Sequence, residues 1–333
     1  MKFSIIIVTF NRKKALTECL QSICAQSLKI PHEVIIILNG DIGYLEKYKS
    51  NFRQFNFIHI PQTTSANARN IAIKKAHGEY ILFLEDDCIL PSNYFQNISF
   101  EQDWDVLGGP DQTPLHASSL QTLIGRALAS PLCMGPAFKR HSRNSIYDNN
   151  ATEESFVICN LWFRKNLFND EGFQFNKCLF RNEEHFLLIE MAKKNKVFHY
   201  NPELFVYHQR QPNIEKLGAA IIQSGKCRAS TFFLEPKKSE MIYFSPMIFT
   251  VCFFFMIFHP NIFFLTSILL YTLSVLVYGM ITSRRFSLSL VFLHCFILFC
   301  YNIGLLKGSW MNLGTFYKNF KTDNSLINEP SGK

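Results

Sequence analysis

From Met241 to Ser283 the chain contains no Asp, Glu, Lys or Arg, and from Phe286 to Leu306 it contains none either. Only Arg284 and Arg285 separate the two runs. A helix of about 20 such residues spans the ~30 Å of bilayer hydrocarbon at ~1.5 Å per residue. Residues 241–258, 261–282 and 286–306 are therefore expected to form two to three transmembrane helices, with His259-Pro260 as a tight turn. The rest of the chain divides around them. Residues 1–213 read as a folded domain, 214–240 as a basic juxtamembrane or interfacial segment, and 307–333 as a polar tail.

With 48% apolar and 18% charged residues over 333 positions, disorder is excluded. The net charge is +8 and is shared evenly between residues 1–240 and the remainder. No basic stripe interleaved with aromatics appears, so nucleic acid is not an expected partner. Lys226, Arg228, Lys237 and Lys238 gather just before the first apolar run. Basic residues beside a span favour the cytoplasmic side and anionic lipid headgroups. A multi-pass cell-membrane protein with a cytoplasmic N-domain is expected, with membrane lipids as partners. The ten cysteines contain no CxxC pair, so zinc or redox spacing is absent and most are expected as small buried hydrophobes.

The N-terminal run FSIIIVTF (3–10) is too short for a signal peptide and ends in Asn11-Arg12-Lys13-Lys14. It reads as a strand buried on both faces. Residues 12–27 carry apolar groups at helical spacing, from Ala15 to Cys24. EVIIIL (33–38), FNFIHI (55–60) and YILFL (80–84) read as further strands, and 44–52 and 65–76 as helices. Such alternation predicts a parallel, doubly wound α/β sheet, whose ligand lies beyond the C-terminal strand ends. Three polar clusters fall there: Thr9-Phe10-Asn11, Asn39-Gly40-Asp41 and Glu85-Asp86-Asp87. Residues 108–150 read as loop, 156–163, 196–200 and 204–208 as strands, 183–194 as a helix, and 214–234 as helical.

Carboxylates clustered at a strand end repel unless a cation sits between them. Glu85-Asp86-Asp87 is thus either a site for Mg²⁺ or Mn²⁺ or a solvated acidic turn. Glu183-Glu184 opens a helix, where acids also serve as dipole partners. His208 ends a short strand before Arg210, and a lone His of this kind is more often structural than a ligand.

Taken together, SIIIVTFNRKKALTECLQSICAQS, EVIIILNGD and ANARNIAIKKAHGEYILFLEDDCILP resemble family 2 glycosyltransferases with the GT-A fold. GGPDQTP (108–114), CNLWFRK (159–165) and RNEEHFLLIEMAKKNKVFHYNPELFVYHQR (181–210), followed by a basic segment and apolar spans, extend the resemblance to the membrane-anchored members that build surface polysaccharides and glycolipids. It covers about residues 3–306.

The resemblance implies an inverting transfer from a nucleotide-diphosphate sugar, a UDP-sugar foremost, to a hydroxyl of a lipid-linked or glycan acceptor. It places Thr9, Asn11, Asn39, Asp41, Arg69, Asp86 and Arg210 around the nucleotide and donor. It assigns Asp87, Glu85 and His208 to a divalent metal, Mn²⁺ or Mg²⁺. The catalytic pair is Glu183 and Glu184, with Glu184 as the base. Two positions depart from the family pattern. Leu38 stands where an acid contacts the nucleotide, and Glu184 stands where Asp is usual. Trp162 and the 111–150 segment are implied to shape the acceptor pocket. Those departures keep a second reading open, a catalytically weakened GT-A scaffold or nucleotide-sugar-binding protein. A transporter is disfavoured because only His259 and His294 are ionisable within the spans. A nicotinamide dehydrogenase is excluded because Thr9 to Lys14 contains no glycine-rich turn.

Overall fold

A computed structural model describes the chain except residues 27–29, 41–44, 180, 235, 248–249, 252–254, 256–261, 284–286 and 328–333. It separates into two compact units, Met1–Asn213 and Ile214–Lys333.

The first unit is built on β1 (Phe3–Thr9), β2 (His32–Asn39), β3 (Asn56–Ile60) and β4 (Tyr80–Glu85). Helices α1 (Lys13–Cys24), α2 (Leu45–Asn51) and α3 (Ser65–Lys75) connect them. After β4 come β5 (Cys88–Ile89), β6 (Val106–Gly108), β7 (Asp111–Gln112), α4 (Ser119–Leu128) and α5 (Pro131–Met134). Then follow β8 (Asn160–Arg164), α6 (Asn166–Asn169), α7 (Glu183–Lys193), β9 (Phe198–Tyr200) and β10 (Val206–His208). Seven strands form one sheet in the order β3-β2-β1-β4-β8-β6-β9. β1, β2, β3 and β4 pair in parallel, but β8 runs antiparallel to both neighbours. The sheet is therefore mixed, not wholly parallel as the alternation predicted. β8 enters from the far side, and a strand's direction leaves no mark on its apolar pattern.

Period two explains why the first strands are apolar throughout. Ile5 and Ile7 face one packed layer with Leu16, Leu20 and Trp162. Ile6 faces the other with Ala68, Ala72, Phe83 and Leu187. Each strand buries both faces under helices, so neither face can be polar. Trp162, expected near an acceptor pocket, lies fully buried in the first layer, and its indole N–H donates to Tyr94 Oη at 2.9 Å.

The segment 108–150 is not loop. It holds β7, α4, α5 and a 3₁₀ turn over Gly135–His141. Ser118 and Gln121 close a reciprocal capping box at the start of α4. That Ser-x-x-Gln pattern was legible in the sequence and marks a helix start.

A second, three-stranded sheet, β5-β10-β7, sits at the end of β4. His208 lies opposite Cys88 across β10–β5, and Val206 lies opposite Asp111 across β10–β7. Gly109, between β6 and β7, lets the backbones of this corner meet.

The second unit contains α8 (Ile214–Leu234), α9 (Ile262–Ser283) and α10 (Leu288–Ile327). Leu265–Thr282 and Leu288–Asn312 are long and apolar enough to cross a membrane. Of the expected span 241–258, residues 248–249, 252–254 and 256–258 lie outside the described residues, and its beginning belongs to a 3₁₀ turn over Lys238–Phe244. α8 and α10 touch backbone to backbone. A Cβ on Gly225 would lie 2.4 Å from the Tyr301 carbonyl, and one on Gly304 would lie 2.1 Å from that of Ile222. Small residues permit this approach between apolar helices.

A Cβ on Gly109 would fall 1.9 Å from the Leu204 carbonyl oxygen and 2.5 Å from that of Asn201. Gly109→Ala is expected to destabilise the first unit by more than ~2 kcal/mol, read as a lowered midpoint in thermal unfolding.

Candidate active site

The site is assembled at the C-terminal ends of β1 and β4. β1 ends at Thr9, and Asn11 then adopts a left-handed conformation with φ +52°. Asn tolerates that region better than most residues. The turn sends Arg12 back over the acids that follow β4. Thr9 Oγ1 donates to Asp86 Oδ2 at 2.6 Å. Arg12 Nη1 donates to Asp86 Oδ1 at 3.1 Å and to Asp87 Oδ2 at 2.7 Å. Burial raises Asp86 to a pKa of about 6, with Arg12 and the Thr9 hydroxyl opposing the rise.

Glu85, Asp87 and His208 converge. One ligand atom from each lies within 4.8 Å of the others. His208 Nε2 is 3.4 Å from Glu85 Oε2 and 3.2 Å from Asp87 Oδ1. Asp87 Oδ1 is buried and makes no hydrogen bond. His208 Nδ1 contacts Asp111 Oδ2 at 2.8 Å. With Nδ1–H donated there, Nε2 faces the two carboxylates, and a metal ion that displaced the Nε2 proton would meet the usual arrangement of a metal-bound imidazole. Burial works against a charged His208, but the anionic neighbours outweigh it and hold its pKa well above the ordinary range. Burial likewise works against ionised Asp87, yet His208 and Arg12 keep that carboxyl below its usual value. The carboxylates thus favour positive charge at this point. Two hard carboxylates, one of them carrying the orphaned buried Asp87 Oδ1, and an imidazole fit Mn²⁺ or Mg²⁺.

Asp111 anchors this arrangement from behind. It is 1% exposed and accepts from Arg210 Nη2 at 2.7 Å and Nη1 at 3.0 Å. His141 Nδ1 lies 2.6 Å from Asp111 Oδ1. Burial would raise Asp111, but Arg210 and His141 hold it well below the usual carboxylate range. Arg210, expected on a phosphate, is therefore committed to Asp111, with Nε bonded to the Thr113 hydroxyl.

Asn39 departs from expectation in a similar way. Its side-chain N–H donates to the Thr63 carbonyl at 2.8 Å, and its oxygen accepts from the Thr63 N–H at 2.8 Å. Both ends of the amide tie β2 to the approach of α3, which leaves one N–H and one oxygen lone pair. Leu38 is buried in the core. Asp41 lies outside the described residues. Asn11 is exposed and serves the turn.

A buried charged layer links the acids to α7. Arg69, 6% exposed on α3, pairs with Glu183 and lies 3.8 Å from Glu85. Glu183 is thereby the partner of a buried guanidinium, not an open base. Glu184, beside it in the first turn of α7, is 7% exposed. Burial first, and then the charge of Glu183, push its pKa up to about 7, with Arg140 opposing. Arg140 donates to the Glu154 carbonyl at 2.8 Å and lies 3.2 Å from His185 Nδ1.

Four residues of this network, Arg12, Asp111, Arg140 and His141, had no role in the sequence reading. Arg12 and Asp111 stand inside strings that carry the family resemblance, TFNR and GGPDQTP, so a signal existed for them. Arg140 and His141 lie in the segment read as loop, where nothing in the pattern distinguished them.

Residues 4–114 match the family described as Glycosyl transferase family 2. TarS of Staphylococcus aureus, a poly(ribitol-phosphate) beta-N-acetylglucosaminyltransferase, is 31% identical over 93 residues, which are 26% of this chain and 16% of TarS. A poly(ribitol-phosphate) beta-glucosyltransferase of Bacillus spizizenii is 32% identical over 121 residues, 33% of this chain and 19% of that protein. The chain thus spans under a fifth of the length of these relatives. Among solved structures, a mannosyltransferase from Pyrobaculum calidifontis in complex with GDP-Man and Mn²⁺ superposes with a TM-score of 0.59 at 13% identity. The overlap covers 93% of this chain and 87% of that one. The fold is GT-A-like, with two apolar C-terminal helices.

Asp111→Asn removes the counter-charge of the buried Arg210 and the acceptor that orients His208. It is expected to cost about 3–5 kcal/mol of stability and to weaken Mn²⁺ binding by about 10–100-fold. Thermal unfolding and a Mn²⁺ titration followed by electron paramagnetic resonance would measure the two effects separately.

Proposed function

For a chain that carries a family 2 glycosyl transferase domain at residues 4–114, we propose an inverting, membrane-associated glycosyltransferase. It moves a sugar from a nucleotide-diphosphate donor, a UDP-sugar foremost, to a hydroxyl of a lipid-linked or glycan acceptor. Its setting is the synthesis of a teichoic-acid-like surface polysaccharide or a glycolipid. The observation that carries this reading is the convergence of Glu85, Asp87 and His208 on one point, with Asp87 Oδ1 buried and unbonded.

Glu85, Asp87 and His208 would hold a divalent cation, whose role when bound is to neutralise the departing nucleoside diphosphate. Asp86, fixed by Thr9, faces the donor at the edge of β1. Arg12, half exposed, supplies a further positive charge at the same edge. Arg69 holds Glu183 and Glu85 in place from within the core. Glu184 takes the proton from the attacking acceptor hydroxyl while the anomeric bond to the diphosphate breaks, and the configuration inverts. A carboxyl with a pKa of about 7 is suited to this work, because general bases act best with a pKa near the working pH. The relatives named for poly(ribitol-phosphate) transfer favour a polyol-phosphate chain or a related surface glycan as acceptor. The apolar stretches Leu265–Thr282 and Leu288–Asn312 favour action at the cell membrane, and the basic residues of α8 favour a cytoplasmic face.

A second reading, a nucleotide-sugar-binding scaffold of weak activity, is favoured by one observation. The position of the family's base-contacting acids holds buried Leu38 and Asn39, whose amide is tied to the Thr63 backbone. Release of nucleoside diphosphate separates the two. Membranes bearing the full chain would be given UDP-, GDP- and dTDP-sugars with Mn²⁺ or Mg²⁺ and a lipid extract. Release that requires metal and is abolished in Asp87→Ala is the expected result. Binding of a donor without turnover under any condition would favour the scaffold.

Glu184→Gln is expected to lower kcat by about 10²–10⁴-fold while leaving Mn²⁺ affinity unchanged. In the parent, kcat/KM should rise with pH through about 7 as Glu184 ionises.

The same group sets a pH dependence of stability. The folded pKa of Glu184, about 7, lies above its ordinary 4.5, so the folded chain retains a proton that the unfolded chain has lost. Stability is highest below the ordinary value and declines as pH rises through about 7. Glu184→Gln should therefore melt higher than the parent at pH 8 and near the parent at pH 4. The gap should be about 2–4 °C for each kcal/mol gained.

A further inference from the structure

Directly behind the carboxylates lies a second cluster of different chemistry. Cys88, Cys159 and His208 each place a ligand atom within 4.8 Å of the others. Both thiols are fully buried and neither is in a disulfide. Cys88 follows Asp87 in β5 and faces His208 across the ladder to β10. Cys159 arrives from another direction, immediately before β8. Its Sγ lies 4.0 Å from Asp111 Oδ2, the atom that also contacts His208 Nδ1. Two sulfurs and an imidazole thus converge, with the Asp111 carboxylate beside Cys159 and His208. No CxxC spacing announces it, because the two cysteines are far apart in the chain and only the meeting of β5, β8 and β10 brings them together.

The two clusters share one residue. The carboxylate side offers hard oxygen donors, which suit Mn²⁺ and Mg²⁺. The thiol side offers soft sulfur donors, which select Zn²⁺ or Cd²⁺, with Zn–S bonds of about 2.3 Å in tetrahedral sites. We propose that Cys88, Cys159 and His208 form a binding site for a thiophilic divalent ion, and that its occupation takes His208 away from Glu85 and Asp87. Each soft ion bound releases the two thiol protons to solvent and forms two metal–thiolate bonds, with no change of oxidation state. The ion closes the site reversibly, and removal by a chelator reopens it. The displacement of the hard ion rests on the metal site proposed above, while the soft site itself stands on the thiols.

The experiment uses the purified full chain with Cd²⁺ alone, without donor. The expected result is an ultraviolet cadmium–thiolate charge-transfer band that saturates at one ion per chain. It should vanish in Cys88→Ser/Cys159→Ser, although exposed Cys24 and Cys178 remain. Mn²⁺ titration by electron paramagnetic resonance establishes that this variant is folded and, independently, whether the carboxylate site binds a metal at all. If the double variant does not fold, ¹¹³Cd nuclear magnetic resonance of the parent reads the ligand set directly, two sulfurs and a nitrogen being expected. In the parent, Cd²⁺ should weaken Mn²⁺ binding by about tenfold or more, the scale of losing a ligand's support. Absence of the band, its persistence in the double variant, a resonance without sulfur ligands, or unchanged Mn²⁺ affinity beside bound Cd²⁺ would each overturn the proposal. Failure of Mn²⁺ to bind with Cd²⁺ absent would instead overturn the reading of the carboxylate site.

Discussion

Three consecutive acids at the end of one buried strand set the problem that the first unit solves. Glu85, Asp86 and Asp87 stand where low dielectric makes their repulsion costly. Each is met by a cation from a different part of the chain: Arg12 over Asp86 and Asp87, Arg69 near Glu85, and His208 between Glu85 and Asp87. These partners hold together the start of α1, the middle of α3 and the end of β10. The charge balance and the local architecture are therefore one constraint. A divalent cation would join a cluster already organised to receive positive charge.

The balance extends outward in two layers. Arg69 carries it to Glu183, whose charge in turn helps lift the pKa of Glu184. Asp111 carries it from His208 to Arg210 and His141. Removing one charge in such a network exposes another, so its members are expected to act as a unit and not additively. This also explains why Arg210 and Glu183, attractive as contacts for a phosphate or a hydroxyl, are occupied with buried counter-ions. They support the groups at the surface of the site.

Much of this was legible beforehand, and the reasons are local. The β-branched runs of β1, β2 and β4 are buried on both faces, and a strand of that kind leaves a continuous apolar signature. The acids after β4 and the pair opening α7 are adjacent in sequence, so their clustering needed no tertiary knowledge. Asn39 misled because an amide looks the same whether it meets a ligand or its own backbone. Trp162 misled because an aromatic ring serves a core as well as a sugar. The antiparallel entry of β8 and the helices within 108–150 depended on long-range pairing and on a capping box in an otherwise loop-like composition.

The sequence by itself determined the α/β class, the apolar C-terminal helices, the acidic strand end and the family likeness, because each is written in spacing or in contiguous residues. Tertiary structure alone decided which charges face one another. Arg12 reaches Asp87 across 75 positions, Arg69 reaches Glu183 across 114, and Arg210 reaches Asp111 across 99. It also brought Cys88 and Cys159 to the same imidazole. Coulomb and coordination forces act over a few ångströms of space and take no account of separation along the chain, so only the fold could bring these partners into contact.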